Sequence, residues 1–121
     1  MMKKILIAED NKLMLETINH KLKKDGYEVI KTADGRECLD FLEGNEVDLL
    51  ITDLYMPYVN GLEVIDTIRT TWKRTLPILV LTSDSAEDTV LQAFELGADD
   101  YMVKPFSISE LSVRLKRLIR P

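Results

Sequence analysis

Leu49-Leu50-Ile51-Thr52-Asp53-Leu54-Tyr55-Met56-Pro57 carries a strand-like apolar run directly into a carboxylate and then into the start of a proline loop. In α/β sheets, ligands are held outside the carboxyl ends of the strands, where the loops gather polar groups. Asp53 has that position. Two other stretches end alike: Ile5-Leu6-Ile7-Ala8 in Glu9-Asp10, and Ile78-Leu79-Val80-Leu81 in Thr82-Ser83. A fourth, Tyr101-Met102-Val103, ends in Lys104-Pro105. If these strands are parallel neighbours, three carboxylates, a hydroxyl and an ammonium converge in one cleft.

The flanking sequence supplies the alternation that such a sheet needs. Lys4 to Ala8 reads as a strand buried on both faces. Met14, Leu15, Ile18 and Leu22 fall at helical spacing between Asn11 and Asp25, and Gly26 is placed to end that helix. Tyr27 to Lys31 is a short strand. A turn at Asp34-Gly35 leads into a helix through Cys38, Leu39 and Leu42 that stops near Gly44. Val47 to Thr52 is the central strand, and Leu62, Ile65 and Ile68 mark a third helix, opened by Asn60-Gly61, with Trp72 packing at its end.

Pro77 starts the fourth strand. Ser85 is expected to cap a fourth helix whose Val90, Ala93 and Phe94 face inward and which Gly97 ends. Ser107 and Glu110 have the spacing of a capping box, with Ile108, Leu111, Leu115 and Leu118 continuing as a stripe. Five alternations imply parallel strands, right-handed crossovers and helices on both faces. The expected fold is α/β, a doubly wound, five-stranded parallel sheet; order 2-1-3-4-5, flavodoxin-like, is one of the two common solutions and places a site where strands 1 and 3 diverge.

A chain of 121 residues is read as one domain, 1–121, able to form a core without staples. Its 45% hydrophobic and 31% charged residues are those of a globular protein. The lone Cys38 excludes an internal disulfide framework. No apolar run approaches the roughly 20 residues of a membrane span, and the run after Lys3-Lys4 stops too soon for a signal peptide. A cytoplasmic protein without membrane contact is expected. The net charge of −5 opposes direct nucleic-acid binding, although Arg114, Lys116, Arg117 and Arg120 make the last helix basic, a solvated face on its simplest reading.

Three clustered carboxylates do not all stay ionised cheaply without a cation. A hard divalent ion with oxygen ligands resolves this, and Mg²⁺ (or Mn²⁺) suits few carboxylates plus water and phosphate oxygens. A phosphoryl donor could then approach Asp53, placed as a nucleophile able to form an acyl phosphate. Lys104 would balance the transferring charge and Thr82 would donate a hydrogen bond to a phosphoryl oxygen.

With Glu9-Asp10, Asp53 followed by Met56-Pro57 and Gly61, Thr82, and Gly97-Ala98-Asp99-Asp100-Tyr101 running into Lys104-Pro105-Phe106, the sequence resembles the response-regulator receiver family of two-component signalling along essentially its whole length. The resemblance implies a receiver fold and a phosphorylation-dependent switch. Asp53 would accept a phosphoryl group from a sensor histidine kinase or a histidine phosphotransfer protein. Glu9, Asp10, Asp53 and the backbone carbonyl of Tyr55 would hold Mg²⁺, and the Lys104–Pro105 peptide would be cis. It further implies that Thr82 moves toward the phosphoryl group and Tyr101 rotates inward, so that the face of the fourth helix, fifth strand and fifth helix reports the state to a downstream protein or output domain.

The resemblance frames several further expectations. Asp100 and Arg114 match part of a pattern by which some receivers dimerise, but Ala86 to Leu96 carries no Lys or Arg. A monomer, or a weak dimer that depends on phosphorylation, is therefore expected. Tyr55, two residues beyond the acceptor, would shield it from water and slow dephosphorylation. His20, among lysines, reads as a surface residue. The protein is not expected to be an enzyme beyond assisting its own phosphorylation and dephosphorylation. An aspartyl phosphatase would need a second acid where Tyr55 stands, and a flavin carrier would place its phosphate against Glu9-Asp10. The alternative is a receiver-fold module that binds proteins without phosphorylation. Since the chain stops at Arg120-Pro121, no output domain is expected within it.

Overall fold

A computed structural model describes residues 2–119, so Arg120 of the basic cluster lies outside the described residues. Five strands alternate with five helices: β1 (Lys4–Ala8), α1 (Lys12–Lys24), β2 (Glu28–Thr32), α2 (Gly35–Leu42), β3 (Leu49–Thr52), α3 (Gly61–Asp66), β4 (Ile78–Thr82), α4 (Glu87–Leu96), β5 (Asp100–Val103) and α5 (Ile108–Leu118). All neighbours are parallel, in the order β2-β1-β3-β4-β5. The doubly wound sheet expected from the alternation is the sheet observed.

Side chains alternate across each strand and so serve two separate apolar layers. Leu6, Ala8, Leu50, Ile78 and Val80 pack with Cys38 and Leu42 of α2, Val64 and Ile65 of α3, and Ala93 of α4. Ile5, Ile7, Leu49, Ile51, Leu79 and Leu81 pack on the other side with Leu15, Ile18 and Leu22 of α1 and Leu111 and Leu115 of α5. The near-continuous apolar runs of β1, β3 and β4 follow from this double burial.

The helix starts show which local expectations hold. Asn60 and Glu63 form a complete capping box at α3, each side chain bonded to the other's backbone N–H. At α5 only half forms: Ser107 Oγ accepts from Glu110 N, while the Glu110 carboxylate pairs with Arg114. Ser85 does not cap α4. The N-cap is Ala86, which makes no side-chain bond, and Asp84 Oδ1 accepts from Ala86 N just before the helix. Phe94 is 43% exposed, because Ala93 holds the buried line of α4 and the next residue turns away from it. Its ring lies beside Tyr101, with centroids 6.3 Å apart.

The third helix continues as a π-helical turn over Thr67–Thr71, closed by Trp72 N donating to Thr67 O. Pro77 precedes β4 rather than opening it, and β3 is two residues shorter than the span from Val47.

Candidate functional site

Each polar group of the cleft is carried by a strand end. Glu9 and Asp10 follow β1, Asp53 follows β3, Thr82 ends β4 and Lys104 follows β5. Glu9, Asp53 and Thr82 are buried, Lys104 is half-buried and Asp10 is exposed. One carboxylate oxygen from each of Glu9, Asp10 and Asp53 lies within 4.8 Å of the others. Lys104 Nζ donates to Glu9 Oε1 at 2.7 Å and to Asp53 Oδ2 at 2.9 Å. Its backbone N donates to Thr82 O at 2.8 Å, and the Lys104–Pro105 peptide is cis.

The other oxygens of the two buried acids are held by backbone. Asn11 N donates to Glu9 Oε2 at 3.1 Å, and Leu54 N donates to Asp53 Oδ1 at 2.6 Å. Gly61 allows this arrangement, since a Cβ there would lie 2.2 Å from the Asp53 carbonyl oxygen. The β3–α3 loop therefore folds directly against Asp53, and Gly61 N donates to Leu54 O at 2.7 Å.

One ammonium is shared between two buried carboxylates, with a third close by. Burial pushes the Glu9 carboxyl up despite the Lys104 and Asn11 hydrogen bonds, and Asp53 adds to the rise. Burial works against the charge on Lys104, but its bonds to Glu9 and Asp53 outweigh this and hold its pKa up. The donor set is three hard oxygen ligands with excess negative charge, which fits Mg²⁺ or Mn²⁺ and not a soft metal. Thr82 keeps its hydroxyl nearly free, accepting only a long 3.5 Å contact from Asp84 N.

Tyr55 and Tyr101 do not join the acidic cluster. Tyr55 is 58% exposed, and its hydroxyl donates to Asp84 Oδ2. Tyr101 is half-buried against the layer of α2, α3 and α4, and its hydroxyl donates to Asp84 O at 2.6 Å. Burial, with Asp84 nearby, pushes the Tyr101 phenol up to about 12. Asp84, in the β4–α4 loop, went unnoticed in the sequence. The available signal was its offset: it stands two residues after Thr82, as Tyr55 stands two after Asp53, on neighbouring parallel strands. His20 is exposed on α1.

Comparison with known proteins gives a consistent result. The family model for the response regulator receiver domain matches residues 5–116. The alkaline phosphatase synthesis transcriptional regulatory protein PhoP of Bacillus subtilis (strain 168) is 39% identical over 120 residues, covering 99% of this chain and 50% of that protein. Response regulator MprA of Mycolicibacterium vanbaalenii is 38% identical over 117 residues, covering 97% of this chain and 50% of that one. The chain thus spans about half the length of the curated relatives it matches. Among solved structures, chemotaxis response regulator CheY4 of Vibrio cholerae superposes with a TM-score of 0.90 at 32% identity, covering 98% of this chain and 99% of that one. The Francisella response regulator 1452 receiver domain gives 0.92 at 30% identity, covering 97% and 96%.

Proposed function

This chain belongs to the response regulator receiver domain family, and on that premise we propose that Asp53 is the phosphoryl acceptor of a signalling switch. The observation that carries this reading is the convergence of Glu9, Asp10 and Asp53 within 4.8 Å, with Lys104 bridging two of them. A carboxylate oxygen of Asp53 attacks phosphorus while the bond from phosphorus to the donor nitrogen breaks. The donor is a sensor histidine kinase or histidine phosphotransfer protein, whose imidazole departs with its electron pair. The product is an acyl phosphate.

Mg²⁺ (or Mn²⁺), held by Glu9, Asp10, Asp53 and the Tyr55 carbonyl, would supply the positive charge that lets an anionic donor approach these acids. Lys104 balances charge on the phosphoryl oxygens, and the lightly engaged Thr82 hydroxyl is available to donate to one of them. The movement of Thr82 and Tyr101 then biases a two-state equilibrium read at the face of α4, β5 and α5 by a downstream protein or output domain. The role is regulatory, and chemistry is limited to the domain's own phosphorylation and dephosphorylation.

Intact mass after incubation with acetyl phosphate and Mg²⁺ tests the reading. One adduct of about 80 Da, the mass added in acyl phosphate formation, is expected on the wild type and absent from Asp53→Asn. Absence of the adduct with both acetyl phosphate and a kinase-borne donor would transfer the assignment to a phosphorylation-independent binding module.

The unphosphorylated state is proposed to be a monomer or weak dimer. Arg114 is engaged within its own chain, 2.8 Å from Asp100 Oδ1 and 3.2 Å from Glu110 Oε2, and α4 offers no cation in return. Sedimentation at micromolar concentration is expected to give the monomer mass; a tight dimer refutes this.

A further inference from the structure

Pro57 and Val59 close a three-residue turn about Tyr58, with Val59 N donating to Pro57 O at 2.8 Å. Tyr58 stands at φ 70°, in the left-handed region that a bulky side chain rarely adopts. Burial does not hold it there. Met56 and Val59 pack into the layer of α2, α3 and α4, whereas Tyr58 is 70% exposed. Its ring meets α2 instead. Although Asp34, Glu37 and Asp40 are close in sequence, the Arg36 guanidinium lies over the Tyr58 ring, 3.9 Å from its centroid. The residue before it is as close to the next position of the loop: a Cβ on Gly35 would lie 1.8 Å from Val59 O. The first turn of α2 is thus pressed against the loop that begins at Asp53.

That loop sets the cleft from below. Leu54 N and Tyr55 N reach Asp53 Oδ1 at 2.6 and 3.4 Å, and Gly61 N closes the loop on Leu54 O. The same stretch of backbone carries the Tyr55 carbonyl. We propose that Arg36 is a positioning residue for the Mg²⁺ site put forward above, on which the assignment rests. Stacked on Tyr58, it offsets the strain of the turn and holds residues 54–61 in the form that binds the cation. A site that is competent in one loop form loses affinity as molecules leave that form. The strained turn favours leaving, and the cation–π contact opposes it. In this way α2 serves the cation site without supplying a ligand to it.

The sign of the effect separates positioning from simple charge. Loss of a positive charge by itself favours binding of a divalent cation, whereas loss of positioning weakens it. The test is a Mg²⁺ titration, followed by the amide signals of Leu54 and Tyr55, on wild type, Arg36→Ala, Tyr58→Gly and the double variant. Arg36→Ala is expected to raise the dissociation constant about threefold, the equilibrium equivalent of an exposed cation–π contact. Glycine adopts positive φ without strain and has no ring. In the Tyr58→Gly background, Arg36→Ala is therefore expected not to raise the constant at all. A constant unchanged or lowered by Arg36→Ala, or a rise that persists with Tyr58→Gly, overturns the proposal.

A second readout needs no cation. In chelator, the Leu54 and Tyr55 amide signals are expected to move in Arg36→Ala, while the remaining signals show that the variant is folded. Unmoved signals overturn the role of Arg36 in setting the loop. A wild type that binds Mg²⁺ no more tightly than Arg36→Ala overturns that role and leaves the cation site standing. A wild type that binds no Mg²⁺ overturns the cation site itself, and the role of Arg36 toward it falls with it.

Discussion

The two ends of the sheet handle charge in opposite ways. At the carboxyl ends of the strands, three carboxylates crowd around one ammonium, and a buried hydroxyl is barely engaged. At the amino ends, two arginines have defined structural tasks. Arg69 donates to Gly97 O, Arg74 O and Asp99 Oδ2 at 2.8–3.0 Å, and Arg74 closes on Leu42 O and Asn45 O. Asp48 and Asp99 accept from the backbone N–H groups that open β1 and β4. On the proposed function, one end is completed by a cation and a phosphoryl group, whereas the arginines of the other already have their partners. Like charges left together cost stability, and a fold tolerates that cost where the charges act.

The most damaging change to the carboxyl end is steric. Gly61→Ala forces a methyl into the Asp53 backbone and should destabilise by about 3 kcal/mol, read from chemical denaturation; a loss under ~1 kcal/mol would show that the loop yields. Next, saturating Mg²⁺ should stabilise the wild type by about 2.7 kcal/mol at a hundred times its dissociation constant. No rise in melting temperature over a chelated control would count against the acidic cluster as a cation site.

At the amino end, Arg69→Ala should cost about 2 kcal/mol, because it strands two carbonyls and Asp99. If Arg69→Ala is neutral in urea titration, the contrast between the two ends fails. The smallest effect is expected for Asp10→Asn, which relieves repulsion without breaking a bond to Lys104. In chelator it should stabilise by about 0.5 kcal/mol while weakening the response to Mg²⁺. Destabilisation there would mean that Asp10 already serves the fold.

Much of this architecture is legible in the sequence because double burial writes itself as unbroken apolar runs. Ile5 to Ala8, Leu49 to Ile51 and Ile78 to Leu81 are read as strands for the same reason that they are buried. The acids and the lysine at the strand ends mark the cleft without any knowledge of side-chain contacts. The amino end is not legible, since Arg69 and Arg74 look like solvated helix and loop cations until their carbonyl partners, far away in sequence, are known. The π-helical turn at Thr67–Thr71 likewise leaves no mark in the spacing of Leu62, Ile65 and Ile68. Phe94 fails as a core residue because apolar character alone does not fix the angle at which α4 meets the sheet. Ser85 fails as a cap because its neighbour Asp84 supplies the local bond.

The order of strands leaves β2 and β5 each with one bare edge. On β2, Glu28 and Lys31 stand exposed along that edge, and a second sheet approaching it would have to strip water from both. On β5 the run is four residues long and meets Pro105, which has no N–H to offer, two positions later. Charge on one flank and brevity on the other resist the stacking of one sheet onto the next. Edges of this kind are expected to give a neighbouring copy little to pair with.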